Sequence, residues 1–318
     1  MTARRFVITG ASGFIGSAVV KALADRGAEL RLMVHSRPVS AAAVECITAD
    51  LADPGSLRGC CDGASVLVHL ASDIGADPAR CARVNVDGTR YLLDEADRAG
   101  VRHVIYLSTA AVHGLGPHRE LPEDGPVAPV SAASRSRYEA EQLARAAGAV
   151  VFRPFFVYGE GDRWYIPGVL RRFAGRGRRL TGNYWFDHGS ARHSVVAVQD
   201  LAAVIAAAAE RPDAFSAAMP YHVCEPEAVS LRSVVTALAG LFGCPPPVLS
   251  LPWPPARLLL GAHPALGHAY RRAELLAQDH TYAAPRVWAT AGMAPGPPML
   301  TRLPRLAPWY RQFQPTSR

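Results

Sequence analysis

Thr9-Gly10-Ala11-Ser12-Gly13-Phe14-Ile15-Gly16 follows the apolar run Phe6-Val7-Ile8 and leads into a helical pattern reaching about Arg26. The three glycines are evenly spaced at a strand-to-helix turn, and each has a physical task there. One permits the tight turn. One lets backbone N–H groups approach a pyrophosphate with no Cβ in the way. The third lets the helix pack closely on the strand. The phosphates would rest at the helix N-terminus, where unpaired amides and the helix dipole favour anions. Gly-rich turns are common, so the strand–turn–helix context carries the assignment. It makes Gly10, Ser12, Gly13, Phe14, Ile15 and Gly16 candidate cofactor contacts.

The downstream sequence extends the same unit. Glu29-Leu30-Arg31-Leu32-Met33-Val34 alternates as a second strand and ends at His35-Ser36-Arg37. NAD-selective turns place an acid about twenty positions past the glycines, to bind the ribose diol. His35, Ser36 and Arg37 stand there instead, with no carboxylate to repel a 2′-phosphate and a guanidinium able to clamp one. The plainer alternative is a solvated arginine at a strand end. The sign of the charge points to NADPH/NADP+.

Strand and helix patterns alternate to about residue 155, which predicts a parallel sheet with helices on both faces. Residues 115–130, rich in Gly and Pro, read as a loop at the mouth of the cofactor cleft. All five tryptophans lie beyond Tyr158. Residues 195–209 and Tyr221-His222-Val223 return to the main sheet layer. The expected fold is therefore α/β, a Rossmann-type doubly wound parallel sheet with a smaller, discontinuous C-terminal substrate lobe. The Rossmann domain takes 1–158 plus about 193–225, and the lobe takes about 159–192 plus 226–318. The late aromatics either line a flat, apolar substrate pocket or pack the lobe, and packing is the preferred reading.

A chain of 318 residues with 49% apolar side chains can bury a sizeable core. It holds no run of about eighteen apolar residues, so no membrane-spanning helix is expected. Arg4-Arg5 before an apolar stretch mimics a secretory signal, but the glycines interrupt it and a first strand explains it better. The net charge is +7. It comes almost wholly from arginine, with one dense cluster at Arg171-Arg172 and Arg176-Gly177-Arg178-Arg179. No interleaved aromatics accompany that cluster, so a solvated face or anion contact is favoured over nucleic acid. The six cysteines form no C-x-x-C pair and read as free thiols of a reducing cytoplasm. No metal site is expected, and nothing fixes an oligomeric state.

Taken together, these segments resemble the extended branch of the short-chain dehydrogenase/reductase superfamily across most of residues 4–210. Ala49-Asp50-Leu51 is similar to the pair that meets the adenine. Val68-His69-Leu70-Ala71-Ser72 resembles the fourth-strand end lining the cofactor, and Asn85-Val86-Asp87-Gly88-Thr89 the N-x-x-G-T helix opening. Leu107-Ser108-Thr109-Ala110-Ala111-Val112-His113-Gly114 is similar to the catalytic Ser/Thr strand, with Thr109 at the hydroxyl position. Arg153-Pro154-Phe155-Phe156-Val157-Tyr158-Gly159 matches the segment beside the nicotinamide. The resemblance implies cofactor contacts from Asp50, Leu51, Leu70, Ala71, Ser72, Pro154, Phe155 and Phe156.

The family's Y-x-x-x-K pair is missing, because Lys21 on the first helix is the only lysine in the chain. One register puts Tyr138 at the tyrosine and Gln142 at the lysine. The other overlays Ser136-Arg137-Tyr138-Glu139-Ala140-Glu141 on S-K-x-x-A-E, with Arg137 at the lysine and an inactive Ala133 at the tyrosine. We take the second, which keeps Glu141 in place. Arg137 could hold the nicotinamide ribose but is a poor proton relay, being always charged. Losing a general acid slows chemistry by about 10²–10⁴ without abolishing it, and Thr109 remains to donate to an oxyanion. The proton then comes from water, Tyr138, His113 or a hydroxyl of the substrate; a packed role for His113 is preferred.

Three functions fit: an NADPH-dependent ketoreductase without the tyrosine, a sugar-nucleotide epimerase or dehydratase, and a non-catalytic NADP(H) sensor. The missing base, and His193 where the family carries an arginine, count against the second. Thr109 and the substrate lobe favour an enzyme over a sensor. Among atypical members the chain looks most like ketoreductases of aromatic polyketide antibiotic pathways, of the angucyclinone (simocyclinone) type. The implied substrate is a bulky aromatic ketone.

Overall fold

The computed structural model describes residues 5–35, 44–174, 184–243, 246–254 and 273–313. Seven strands form one all-parallel sheet: β1 (Arg5–Thr9), β2 (Glu29–Val34), β3 (Glu45–Thr48), β4 (Val66–His69), β5 (His103–Leu107), β6 (Val150–Pro154) and β7 (Tyr221–Val223). Their order is β3-β2-β1-β4-β5-β6-β7. The order reverses beside β1, and that switch point is where an open α/β sheet takes its ligand. The expected doubly wound α/β fold is therefore present.

Two apolar layers sandwich the sheet. One packs Ile8, Leu32, Val68, Ile105 and Phe152 against Val19 and Leu23 of the helix Phe14–Ala24 and Val204 and Ile205 of the helix Val198–Glu210. The other packs Val7, Leu67, Tyr106 and Val151 against Leu92 of the helix Gly88–Arg98 and Ala140 and Ala144 of the helix Ala132–Ala146. The strands are apolar on successive residues because both faces are covered, as a parallel sheet requires.

A second, four-stranded sheet runs in the order Val229–Ser230, Arg192–His193, His280–Tyr282, His118–Leu121. Residues 115–130, read as loop, thus contribute a strand at His118–Leu121. Its partner lies about 160 positions later, beyond the reach of local patterning. Val195–Ala197 pairs with Phe156–Tyr158 as a separate parallel ribbon, not with the large sheet. Val287 and Ala291, expected in the lobe, are buried in the core of the large sheet with Trp288 against them. Trp185 packs with Val169, Val234 and Leu303. Trp253 is buried against Phe186, while Trp164 is 67% exposed. Among the described residues no helix is long and apolar enough to cross a membrane. Among the described residues no disulfide joins Cys46, Cys60, Cys61, Cys81 or Cys224.

Candidate active site

β1 ends at Thr9, whose buried side chain knots the centre of the sheet. Its Oγ1 accepts from the backbone N–H groups of Leu70 and Ala71, each at 3.1 Å, and contacts His69 Nδ1 at 2.7 Å. His69 Nε2 reaches Thr89 Oγ1 at 2.9 Å. The segment after β4 is thereby pinned against the glycine turn. Gly10 has φ +68°, and a Cβ there would lie 2.8 Å from the Ala71 nitrogen. A Cβ at Gly16 would lie 2.0 Å from the Gly10 carbonyl oxygen. These two positions admit only glycine.

The helix that begins at Phe14 has Gly13 as its N-cap, no side-chain cap and no acid in its first turn. Ser12 and Gly13 are exposed, while Leu70, Ala71 and Ser72 are half-buried. Uncapped amides beside an open, Cβ-free turn are the donor set a pyrophosphate needs, so these residues fit a dinucleotide. Leu51 is buried, with its backbone and Cβ against Gly88, where any side chain would collide.

At the far end of β2, Ser36 and Arg37 lie outside the described residues. His35 does not stand free of acids as its sequence surroundings imply: Asp50 Oδ2 lies 3.3 Å from its Nε2. The cause is sheet adjacency. Val34 and Thr48 are paired neighbours on β2 and β3, so Asp50, distant in sequence, arrives beside His35. Asp50 Oδ1 also accepts from the Ala52 N–H at 2.9 Å, which fixes the carboxylate.

Thr109, just past β5, is extended (φ −148°) and opens the short turn Ala110–His113; its Oγ1 accepts from the Ala111 N–H at 3.2 Å. With its oxygen already accepting, the hydroxyl proton is left to donate outward. Ser108 is otherwise engaged, donating to buried Glu141 at 2.6 Å. Arg153 closes on the same carboxylate through Nε at 2.9 Å and Nη2 at 2.5 Å. Glu141 is 0% exposed and Arg153 3%.

The helix Ala132–Ala146 presents Ala133, Arg137 and Glu141 at four-residue spacing, along one face. Arg137 Nη2 donates to the carbonyl oxygens of Leu107, at 3.1 Å, and Ser108, at 2.7 Å. It is therefore anchored to the strand end that carries Thr109. Tyr138, one position round, accepts from Gln142 Nε2 at 2.9 Å in an exposed setting. Of the two registers, the one with Ala133 in the tyrosine's place is the one whose lysine position, Arg137, touches that strand end. Tyr138→Phe is expected to leave most turnover intact. A loss of about a hundredfold or more, the scale of a missing general acid, would establish the other register.

His113 is 3% exposed. Its Nδ1 donates to the Pro126 carbonyl at 2.8 Å, and its Nε2 meets His222 Nε2 at 3.0 Å and Arg153 Nη1 at 3.4 Å. Desolvation, the largest cause, pushes its pKa down to about 4, so it is neutral and packed. Pro154, the last residue of β6, is buried, and Phe155 and Phe156 beyond it are half-buried, their rings 4.2 Å apart. Phe155 stacks on His280 at 5.0 Å, which sets the second sheet against the C-terminal end of β6. Sequence reasoning missed His222, His280 and Tyr282, which pack with His113 and Phe155 here. No local pattern flags them, because they sit in two short strands far apart in sequence. Among the described residues no group of His, Cys, Asp or Glu is arranged to hold a metal ion.

Residues 6–224 match the model of the NAD dependent epimerase/dehydratase family. A 4-hydroxy-2-methyl-3-oxo-4-farnesyl-3,4-dihydroquinoline-1-oxide ketoreductase of Stigmatella aurantiaca is 30% identical, over 80% of this chain and 78% of its own. A dTDP-L-rhamnose 4-epimerase of Burkholderia thailandensis is 25% identical, over 77% of this chain and 83% of its own. The solved structure of MoeE5 in complex with UDP-glucose and NAD superposes with a TM-score of 0.76 at 24% identity, covering 97% of this chain and 99% of that one. The chain belongs to the NAD dependent epimerase/dehydratase family, within the extended short-chain dehydrogenases/reductases.

Proposed function

We propose that this oxidoreductase is an NADPH-dependent ketoreductase that works without a tyrosine acid. Its substrate is a bulky aromatic ketone of the polyketide type made in antibiotic biosynthesis. One observation carries the reading. The cofactor turn and the Thr109–Arg137 strand end are kept, while His193, at the place of the family's arginine, is wholly buried with its pKa pushed down to about 4 by desolvation. A neutral, buried imidazole is a poor partner for a sugar diphosphate but compatible with an uncharged ketone. The ketoreductase relative adds weight on the same side.

A nicotinamide cofactor bound at the glycine turn supplies a hydride. Gly10, Ser12, Gly13, Phe14, Ile15 and Gly16 hold its pyrophosphate, and Asp50 and Leu51 its adenine. Leu70, Ala71, Ser72, Pro154, Phe155 and Phe156 line the nicotinamide half. Thr109 donates to the carbonyl oxygen as charge develops there, and Arg137 holds the ribose. The described elements of 159–192 and 226–313, apart from the helix Val287–Ala291 in the large-sheet core, serve the substrate side. Consumption of NADPH with a panel of aryl ketones, followed by loss of nicotinamide absorbance, tests the assignment; no turnover with any ketone would reject it.

Cofactor choice gives a separate prediction. His35 and Arg37 favour the 2′-phosphate, so NADPH is expected to bind tighter than NADH although Asp50 stands close by. Arg37→Glu is expected to erase or invert the preference, read as the ratio of dissociation constants. Equal affinities in the unaltered protein would overturn it.

A further inference from the structure

Four neighbouring residues hold buried polar atoms that no described residue satisfies: both ring nitrogens of His193, both of His280, and the hydroxyls of Tyr165 and Tyr282. The carbonyls of Leu275 and Gln278 approach His193, and that of Glu274 approaches His280, but outside hydrogen-bonding geometry. Native interiors pair more than about nine in ten buried polar groups, so a concentration of unpaired ones calls for a partner.

All four rings pack on one pair of residues. Phe155 stacks on His280 at 5.0 Å and meets Tyr282 at 5.2 Å. Phe156 stacks on Tyr165 at 4.2 Å and meets His193 edge-on at 5.3 Å. The two imidazoles are 6.3 Å apart. Phe155 and Phe156 are the partly exposed members, so an incoming molecule meets them first.

We infer that His193 and His280, with the Tyr165 and Tyr282 hydroxyls, form a polar recognition site for an uncharged, flat, hydroxylated aromatic molecule. Its rings would exchange places in the stack with Phe155 or Phe156. Each neutral imidazole offers one N–H and one lone pair, and each phenol a donor and an acceptor, which suits phenolic and quinone oxygens. Desolvation holds both imidazoles uncharged despite the nearby Asp279 carboxylate. An anion would therefore find no charge to pair with. This site deepens the ketoreductase reading and rests on it for the identity of the ligand as substrate.

The test measures binding without turnover, by quenching of tryptophan fluorescence in the presence of NADP+. The probes are quinizarin, anthraquinone and UDP-glucose. Quinizarin is expected to bind at least about tenfold tighter than anthraquinone, the value of roughly one net hydrogen bond. His193→Phe and His280→Phe should each remove about tenfold from quinizarin and leave anthraquinone nearly unchanged. Should either variant fail to fold, ring nitrogen NMR signals of His193 and His280 in the unaltered protein must move on adding quinizarin. Equal affinity for the two quinones, variants that preserve their ratio, unmoved imidazole signals or tightest binding of UDP-glucose would each overturn the site. An intact affinity pattern with no ketone reduction would instead reject the reaction and leave the site standing.

Discussion

Between pH 6.5 and 4 the protein is expected to lose most of its folding free energy. Five histidines are buried with pKa values driven down chiefly by desolvation: to about 4 for His69, His113 and His193, and to about 3 for His222 and His280. His118, half-buried, shifts the same way. In the unfolded chain each imidazole titrates near its ordinary 6.5. With the folded values depressed, the unfolded state binds more protons across this window, so stability falls as pH falls and is fully present only above about 6.5. Each histidine contributes up to about 1.4 kcal/mol per pH unit. Five together, even discounted by half, give about 3 kcal/mol per unit against a total of about 5–15 kcal/mol. At that slope a stability of about 5–7 kcal/mol is used up between about pH 5 and 4, so acid unfolding should be centred there. Melting temperatures from far-UV circular dichroism at several pH values check it. An unchanged Tm between neutrality and pH 5 would mean that these rings are solvated or already charged in the fold.

That histidine cluster also marks where sequence reading stops. The glycine turn, the parallel order of strands and the helix facing Thr109 were legible because their signals are local: glycine spacing, apolar runs and a four-residue period. Glu141 and Arg153 were each recognisable from their motifs, but their pairing through 2.5 and 2.9 Å bonds needed the fold. The approach of Asp50 to His35 was hidden for a different reason. Parallel strands place the ends of β2 and β3 side by side, so an acid enters the cofactor corner from outside the local pattern. The strand His118–Leu121 was hidden most deeply. It carries two charged residues and ends on a proline-flanked turn, and only pairing with His280–Tyr282 makes it a strand. Residues His113, His118, His193, His222 and His280 come from five separate segments and meet only because the second sheet closes over the ends of β5 and β6.

Methylating a phenolic hydroxyl next to the reacting ketone is expected to cut kcat by about 10²–10⁴, the value of a general acid, while changing binding far less. The protein side of the site explains why. Ala133 offers no proton, Tyr138 lies one position round the helix from the face that carries Arg137, and Arg137 is tied to two carbonyl oxygens. His113 is buried and uncharged, with its Nδ1 proton committed to Pro126. Thr109 can donate a hydrogen bond but has no acidic partner to replace its proton. A phenol flanking the ketone already bonds to the carbonyl oxygen. As hydride reaches the carbonyl carbon, the C=O electron pair moves onto oxygen, takes the phenolic proton and leaves a phenolate that water reprotonates. The donor is held within the substrate, so its effective concentration is high without any help from the protein. Methylation removes that proton and nothing else from the reacting face. If the methyl ether is reduced as fast as the parent ketone, the proton comes from the protein or from water, and a substrate-assisted route is wrong.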